Sequence, residues 1–178
     1  MLILTHIGYA QSDSWPDAYL DWHPDGVYLV VAYDDQVQIF NTITDEVVRT
    51  FSGLVFQRVG PLWSPDGSKL AIVNEAIEIW HEPWDSTNAT PVATLNPTSQ
   101  FSAVSWSPDS LRLAVGSGQI VKIWHVESQS IEREVHDRSI SLIFDVEWID
   151  PIRVAVASSL NLVTIIHAES GDILNYFN

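Results

Sequence analysis

The sequence predicts an all-β fold built from four similar antiparallel sheets, and three observations lead to this prediction. The motif Trp-Ser-Pro-Asp-Gly at 63–67 returns, with variations, at 22–26, 106–110 and 148–152. A second motif, an aliphatic segment that ends in a large side chain, returns with the same period. The segments between the two motifs alternate in hydrophobicity with period two, which is typical of β-strands.

The first motif has the chemistry of a turn. Proline fixes φ in the range that turns use, aspartate bonds back to the backbone, and glycine accepts a positive φ. The tryptophans that open the motif recur at nearly equal intervals along the chain: Trp22, Trp63, Trp106 and Trp148. We call the motif the bracket turn, and we interpret its aspartates as turn residues: Asp25, Asp66 and Asp109.

The second motif lies downstream of each bracket turn. It occupies 37–41, 77–81, 121–125 and 163–167. Its large side chains recur at nearly the same interval as the tryptophans: Phe40, Trp80, Trp124 and Ile166. Two independent series with a period of about 42 residues indicate a true structural repeat.

Each repeat is expected to contain four strands. A short inner strand precedes the bracket turn, and the second motif forms the third strand. The second strands are expected at 28–33, 69–74, 112–117 and 153–158, and the fourth at 46–51, 91–95, 131–135 and 172–177. Four-stranded sheets that recur roughly every 40–45 residues are the blades of a β-propeller, because one blade cannot bury both of its apolar faces alone.

We therefore expect a single β-propeller domain of four blades over 1–178. The blades are expected at 15–53, 54–96, 97–138 and 139–178. Residues 1–14 are expected to be a leading outer strand or a leader. A signal remnant at 1–11 would mean a secreted or periplasmic protein, but no basic region precedes the apolar run. A strand and a cytoplasmic protein are therefore expected.

The chain resembles WD-repeat β-propellers over essentially its whole length. The resemblance rests on the bracket turn, on Leu-Ala-Val-Gly-Ser at 113–117, and on Val-Lys-Ile-Trp at 121–124, which follows the turn's tryptophan within the same repeat. It implies a non-catalytic scaffold that mediates protein–protein interaction and uses no cofactor. TolB-like propellers, which also favour a Ser-Pro-Asp-Gly turn, are the neighbouring possibility.

Two positions depart from the WD-repeat pattern. In the family an aspartate follows the tryptophan of the third strand. The residues at this place here are Asn41, His81, His125 and His167. The family's Gly-His pair before the inner strand is replaced by Gly53-Leu54 and Asn96-Pro97. The buried His–Ser–Asp–Trp hydrogen-bond network that the resemblance implies therefore cannot form in its usual way.

The composition argues against several classes of function. The chain has 23 acidic and 8 basic residues and a formal charge of −15. Nucleic acids and anionic membranes are not expected as partners, because phosphate contact depends on a basic surface. No apolar run approaches the roughly 18–20 residues of a membrane helix. Without cysteine, disulfides, thiolate zinc sites and cysteine nucleophiles are excluded.

The repeated polar residues do not predict a catalytic or metal site. Equivalent residues of neighbouring blades are too far apart to ligate one metal with bonds of about 2.1 Å. The three histidines of the second motif are instead expected to cap the third strand. The bracket aspartates occur once per turn, whereas paired catalytic carboxylates lie about 5–10 Å apart. No phosphate-binding loop or nucleophile elbow is present.

Two tryptophans lie outside both repeat series. Trp15 precedes the first inner strand, and Trp84 lies in the loop at 81–91. Because tryptophan is enriched at binding hot spots, both are candidate interaction anchors. Packing onto a neighbouring turn is the alternative.

An arc of four blades leaves a sheet face open at each end. Four strands about 4.8 Å apart and roughly 17 Å long expose on the order of several hundred Å² per face. That area equals the largest apolar patch of an ordinary monomer. We therefore expect an incomplete ring or half of a larger ring. A second copy forming an eight-bladed homodimer, or a companion chain, would cover these faces, and a tight four-bladed ring is the third choice.

Two other functions stay open. A propeller enzyme or small-ligand sensor would need polar groups that converge in the central channel. Asp21 and Glu147 are acidic at equivalent inner-strand places, but Leu62 and Ser105 interrupt that ring. A truncated fragment of a longer propeller, without independent function, is the remaining alternative.

Overall fold

A computed structural model describes residues 18–54, 59–85, 90–96, 101–138, 140–159 and 163–177. These residues form sixteen β-strands in four four-stranded antiparallel sheets, and the predicted all-β fold of four blades is confirmed. Within these ranges, no helix has the length and apolar character needed to span a membrane.

Blades 1 and 2 are meanders whose strands pair in sequence order. The strands of blade 1 are β1 (Tyr19–Trp22), β2 (Tyr28–Tyr33), β3 (Gln36–Asn41) and β4 (Glu46–Ser52). The strands of blade 2 are β5 (Leu62–Trp63), β6 (Lys69–Val73), β7 (Ile77–His81) and β8 (Ala93–Leu95). In both blades the bracket turn joins the first strand to the second.

Blades 3 and 4 repeat this topology. The strands of blade 3 are β9 (Ala103–Trp106), β10 (Arg112–Ser117), β11 (Ile120–His125) and β12 (Ser130–His136). The strands of blade 4 are β13 (Ile143–Asp150), β14 (Arg153–Ser158), β15 (Val163–His167) and β16 (Ile173–Phe177). The strands of each sheet lie within one predicted repeat, while the blade boundaries themselves stay a prediction.

The strand register places the two repeat motifs on the same face of each sheet. In blade 2, Trp63 lies opposite Leu70, which lies opposite Trp80. The same row recurs as Trp22–Leu29–Phe40, Trp106–Leu113–Trp124 and Trp148–Val154–Ile166. Residues one place along each strand point to the opposite face, because side chains alternate across a sheet.

Three apolar cores lie between successive blades. In the core between blades 1 and 2, Val30 and Ile39 of blade 1 pack against the row of Trp63, Leu70 and Trp80. The cores between blades 2 and 3 and between blades 3 and 4 are built in the same way. The row with the two motifs therefore faces the preceding blade, and we call this side of a blade its leading face. The opposite side is its trailing face.

The inner strands follow one another in chain order, since β1 contacts β5, β5 contacts β9 and β9 contacts β13. No core cluster of the described residues joins blade 4 to blade 1. The outer place of blade 4 is filled by β16 of the same blade. The segment 1–14 and Trp15 lie outside the described residues.

Candidate interaction surfaces

The aspartate of the bracket turn holds the turn closed in blades 1 to 3. Its Oδ1 accepts a hydrogen bond from the backbone N–H two residues later. The pairs are Asp25 with Val27 at 2.7 Å, Asp66 with Ser68 at 2.9 Å, and Asp109 with Leu111 at 3.0 Å. These aspartates therefore occupy the positions that turn chemistry requires.

An ion pair strengthens the bracket turn of blade 3. Arg112 Nη2 lies 2.9 Å from Asp109 Oδ2. Burial raises the pKa of the Asp109 carboxyl, but hydrogen bonds from Ser107, the Leu111 N–H and Arg112 outweigh burial and hold its pKa below the ordinary value. The folded chain therefore favours the ionised carboxylate.

Replacing Asp109 with asparagine is expected to make stability less sensitive to acid. Because its pKa is lower in the folded chain than in the unfolded chain, Asp109 contributes fully above the ordinary value of 3.8. This contribution disappears as the pH falls through the folded pKa. Urea unfolding between about pH 6 and about pH 2 should therefore show a shallower decline for Asp109→Asn than for the unmodified chain. The exposed Asp34→Asn serves as the control, and equal declines in all three proteins would contradict the expectation.

Successive bracket turns are tied together by hydrogen bonds. The donors and acceptors are His23 Nε2 with Gly67 O at 2.8 Å, Lys69 Nζ with Ser110 O at 3.4 Å, and Arg112 Nη2 with Pro151 O at 2.8 Å. In each case the donor belongs to the earlier blade and the carbonyl to the bracket turn of the later blade. At all three junctions, these hydrogen bonds between bracket turns therefore run from a donor in the earlier blade to a carbonyl in the later blade.

The inner strands are joined at two junctions by hydrogen bonds that run the other way, from a donor in the later blade to an acceptor in the earlier blade. The Trp63 N–H donates to Asp21 Oδ2 at 2.8 Å, and the Trp148 N–H donates to Ser105 Oγ at 3.3 Å. Burial raises the pKa of Asp21, and the hydrogen bond from Trp63 partly offsets this. At the junction between blades 2 and 3, the equivalent residue is Leu62, whose apolar side chain cannot accept such a hydrogen bond. The inner-strand position considered for a channel site thus takes part in contacts between blades.

Trp84 packs onto blade 1. Its ring stacks on Tyr28 with centroids 5.2 Å apart and planes 4° apart, and it meets His23 edge-on at 5.3 Å. Trp84 is partly buried and lies against the core between blades 1 and 2. This geometry agrees with the packing alternative, and a role for Trp84 or Trp15 as an interaction anchor stays a prediction.

Two histidines of the second motif hold the turn after the third strand. His125 Nδ1 accepts from the Ser128 N–H at 3.4 Å, and His167 Nδ1 accepts from the Ser170 N–H at 3.3 Å. Across the part of the chain that the structure describes, no group of three or more His, Cys, Asp or Glu residues could hold a metal ion.

The leading face of blade 1 is exposed. Trp22 has 53% of its surface exposed, whereas its equivalents Trp63, Trp106 and Trp148 have 5%, 7% and 6%. Leu20, on the same face, is also largely exposed. The tryptophan that is buried in an inter-blade core elsewhere is thus half exposed in blade 1, whereas Leu29 and Phe40 of the same face are partly buried.

The trailing face of blade 4 is exposed as well. Val163 and Phe177, which lie opposite each other on β15 and β16, have 39% and 55% of their surfaces exposed. The residues equivalent to Val163 are fully buried in the other blades: Val37, Ile77 and Val121. Exposed apolar side chains therefore lie on the leading face of blade 1 and on the trailing face of blade 4.

Known structures contain a similar arrangement of blades. The chain matches one described as "Crystal Structure of Mitotic Checkpoint Complex" with a TM-score of 0.74 and 20% sequence identity. The match covers 89% of this chain and 51% of that chain, so this chain spans about half the length of the chain it matches. At this identity the similarity concerns the fold alone.

One blade also matches a known repeat at the level of sequence. Residues 89–125 match a family model described as WD domain, G-beta repeat. The match includes the outer strand β8 of blade 2 and the first three strands of blade 3. The resemblance to WD-repeat propellers is confirmed. No curated protein matches the chain.

The hydrogen bonds between the blades were not predicted from the sequence. The sequence feature that is related to these hydrogen bonds is the repeat period of about 42 residues. Asp21 and Trp63 are 42 residues apart, and His23 and Gly67 are 44 residues apart. In these two pairs, a polar side chain in one repeat meets a nearly equivalent place one repeat later.

Proposed function

We propose that this WD-repeat chain is a non-catalytic scaffold whose open end faces bind further propeller blades. The observation that carries the proposal is the exposure of Trp22, whose three equivalents are buried against a preceding blade. Because Trp22 is the same residue type in the same place of the repeat as these three tryptophans, it is suited to pack against a further blade in the same way.

The energetics of burial support this proposal. Each end face presents roughly 300 Å² of sheet, from four strands about 4.8 Å apart and about 17 Å long. At about 25 cal/mol per Å², covering one face stabilises the assembly by several kcal/mol. This gain is comparable to the whole net stability of a typical domain.

The comparisons support protein partners of this kind. The matching solved chain is longer than this one, since the match covers 89% of this chain but only 51% of that chain, and it comes from a structure described as a complex. The covering blades would come from a second copy, as a homodimer, or from a companion chain. The bracket aspartates and the two turn-holding histidines already serve the backbone, which supports a structural use of these groups.

Site-specific photo-crosslinking tests the proposal. Benzoylphenylalanine at position 22 is expected to crosslink to a protein in an extract of the source cells, with the crosslinked peptide identified by mass spectrometry. The same probe at position 43 is the matched control, because Ile43 is 75% exposed but lies in the turn between β3 and β4. Equal labelling at both positions, or none at position 22, would count against the scaffold.

A further inference from the structure

We propose that the blades covering the two end faces belong to a second copy of the same chain, arranged head to tail. Blade 4 of each copy would pack against blade 1 of the other, giving a ring of eight blades with two identical new junctions. This inference rests on the proposed function and names its partner.

The apolar side chains of the two end faces match those of the internal junctions. The leading face of blade 1 presents Trp22, Leu29 and Phe40, the row that is buried in every later blade. The trailing face of blade 4 presents Val163 and Phe177. A junction between these faces would repeat the pairing of residue types in the three existing cores.

A basic side chain at the end of blade 4 is placed for the next contact between bracket turns. Lys69 and Arg112 bind the bracket turn of their own blade and also donate to a carbonyl of the next one. Arg153 occupies the same place in blade 4, and its Nη2 lies 2.6 Å from Asp150 Oδ2. The carbonyl that corresponds to Ser110 O is Gly26 O of blade 1.

The inner strands offer a second polar match. Asp21 and Ser105 accept a hydrogen bond from the tryptophan N–H of the next blade. Glu147 occupies the same place in blade 4, and one of its oxygens accepts from Ser105 Oγ at 3.1 Å. In the proposed dimer, the other carboxylate oxygen of Glu147 would accept a hydrogen bond from the Trp22 N–H of the second copy.

The area and the length also fit two copies. Two new junctions bury four end faces, about 1,300 Å² in total at the strand dimensions of a sheet, which falls within the range of stable protein interfaces. Because the matched part of this chain corresponds to 51% of the similar solved chain, two such parts together correspond to about the whole of that chain. Contacts between a leading face and a trailing face give a closed ring of two copies when the rotation from blade to blade adds up to a full turn over eight blades.

Light scattering coupled to size-exclusion chromatography tests the head-to-tail dimer on the purified 178-residue chain. One chain has a mass of 20.0 kDa, so the expected mass is about 40 kDa at micromolar concentration. Trp22→Asp, on the leading face, and Val163→Asp, on the trailing face, are each expected to reduce the mass to that of one chain. Ile43→Asp is the control and keeps the dimer. Circular dichroism confirms that each variant is folded.

Mixing the two variants gives the decisive measurement. A head-to-tail pair of Trp22→Asp with Val163→Asp contains one junction with two unaltered faces, so the mixture is expected to regain the dimer mass in part. A symmetric contact between two leading faces would be broken by Trp22→Asp alone, and mixing would not restore it.

Three outcomes overturn the inference. In the first, the unmodified chain is a monomer. In the second, only one of the two substitutions, Trp22→Asp or Val163→Asp, dissociates the dimer. In the third, the mixture of the two variants stays at the mass of one chain. A monomer that still crosslinks at position 22 to a different protein would overturn the second copy while leaving the scaffold standing.

Discussion

Trp63→Ala is expected to lower the free energy of unfolding by about 3–5 kcal/mol, whereas Trp22→Ala is expected to lower it by less than about 1 kcal/mol. Both tryptophans open a bracket turn and both precede the same second strand. Trp63 is 5% exposed within the core between blades 1 and 2, whereas Trp22 is 53% exposed. Removing the buried indole loses its transfer free energy and leaves a cavity, and removing the exposed indole does neither.

Urea denaturation followed by circular dichroism measures this difference. Both substitutions belong in the Val163→Asp background, in which the proposed dimer cannot form, so that only the packing within one chain is compared. Similar losses for the two variants would show that Trp22 is buried by blades of its own chain, and the open leading face would then be wrong.

Gly67→Ala is expected to destabilise the chain by about 2 kcal/mol more than Gly26→Ala. Both glycines end a bracket turn with positive φ, +76° and +73°, so both substitutions carry the strain of a left-handed backbone. A Cβ on Gly67 would lie 2.4 Å from His23 Nε2, whereas nothing lies within 4 Å of a Cβ on Gly26. The difference between the two losses of stability therefore reports how closely the bracket turns of blades 1 and 2 approach each other.

His23 cannot move aside easily. It is 8% exposed, it donates to Gly67 O, and its Nδ1 lies 2.6 Å from Asp25 Oδ1. Its ring also meets Trp63 edge-on at 4.8 Å. Gly67→Ala should therefore change the near-ultraviolet circular dichroism of the aromatic side chains, whereas Gly26→Ala should not. Equal free energies of unfolding for the two variants would contradict the contact.

The strands could be predicted from the sequence because each repeat supplies the same signals four times. The second strands at 28–33, 112–117 and 153–158 coincide with β2, β10 and β14. A single short alternating segment is ambiguous, but the same segment at a fixed distance from four bracket turns is not.

The contacts between blades could not be predicted, because they depend on how each sheet is placed against the next. Nothing in the residue types distinguishes Trp22 from Trp63, although one is exposed and the other buried. Likewise, Trp84 was compatible with an anchor and with packing until its stacking on Tyr28 was seen. Local sequence sets the strands, whereas the neighbouring blade determines what each strand face touches.

The departures from the WD-repeat pattern could be seen in the sequence, but the hydrogen bonding of the third-strand indoles could not. Trp80 and Trp124 are both followed by histidine, yet Trp80 Nε1 donates to Glu78 Oε2 at 3.2 Å, whereas Trp124 Nε1 is buried without a hydrogen-bond partner among the described residues. Burying such a group carries a free-energy cost. Hydrogen bonds between bracket turns, such as that from Arg112 to Pro151, add polar contacts elsewhere in this chain.

The fixed polarity of the junctions has a consequence for assembly size. Side-chain donors near the bracket turns reach forward to the next blade, whereas tryptophan N–H groups of the inner strands donate back to the preceding blade, so the leading and trailing faces are unlike and each can pair only with a face of the other kind. Such contacts have no built-in stop, and they form a closed ring or an endless filament according to the rotation at each step. In the proposed dimer the number of blades is set by the angle between neighbouring sheets, and a substitution that alters this angle is expected to convert the proposed ring into a polymer.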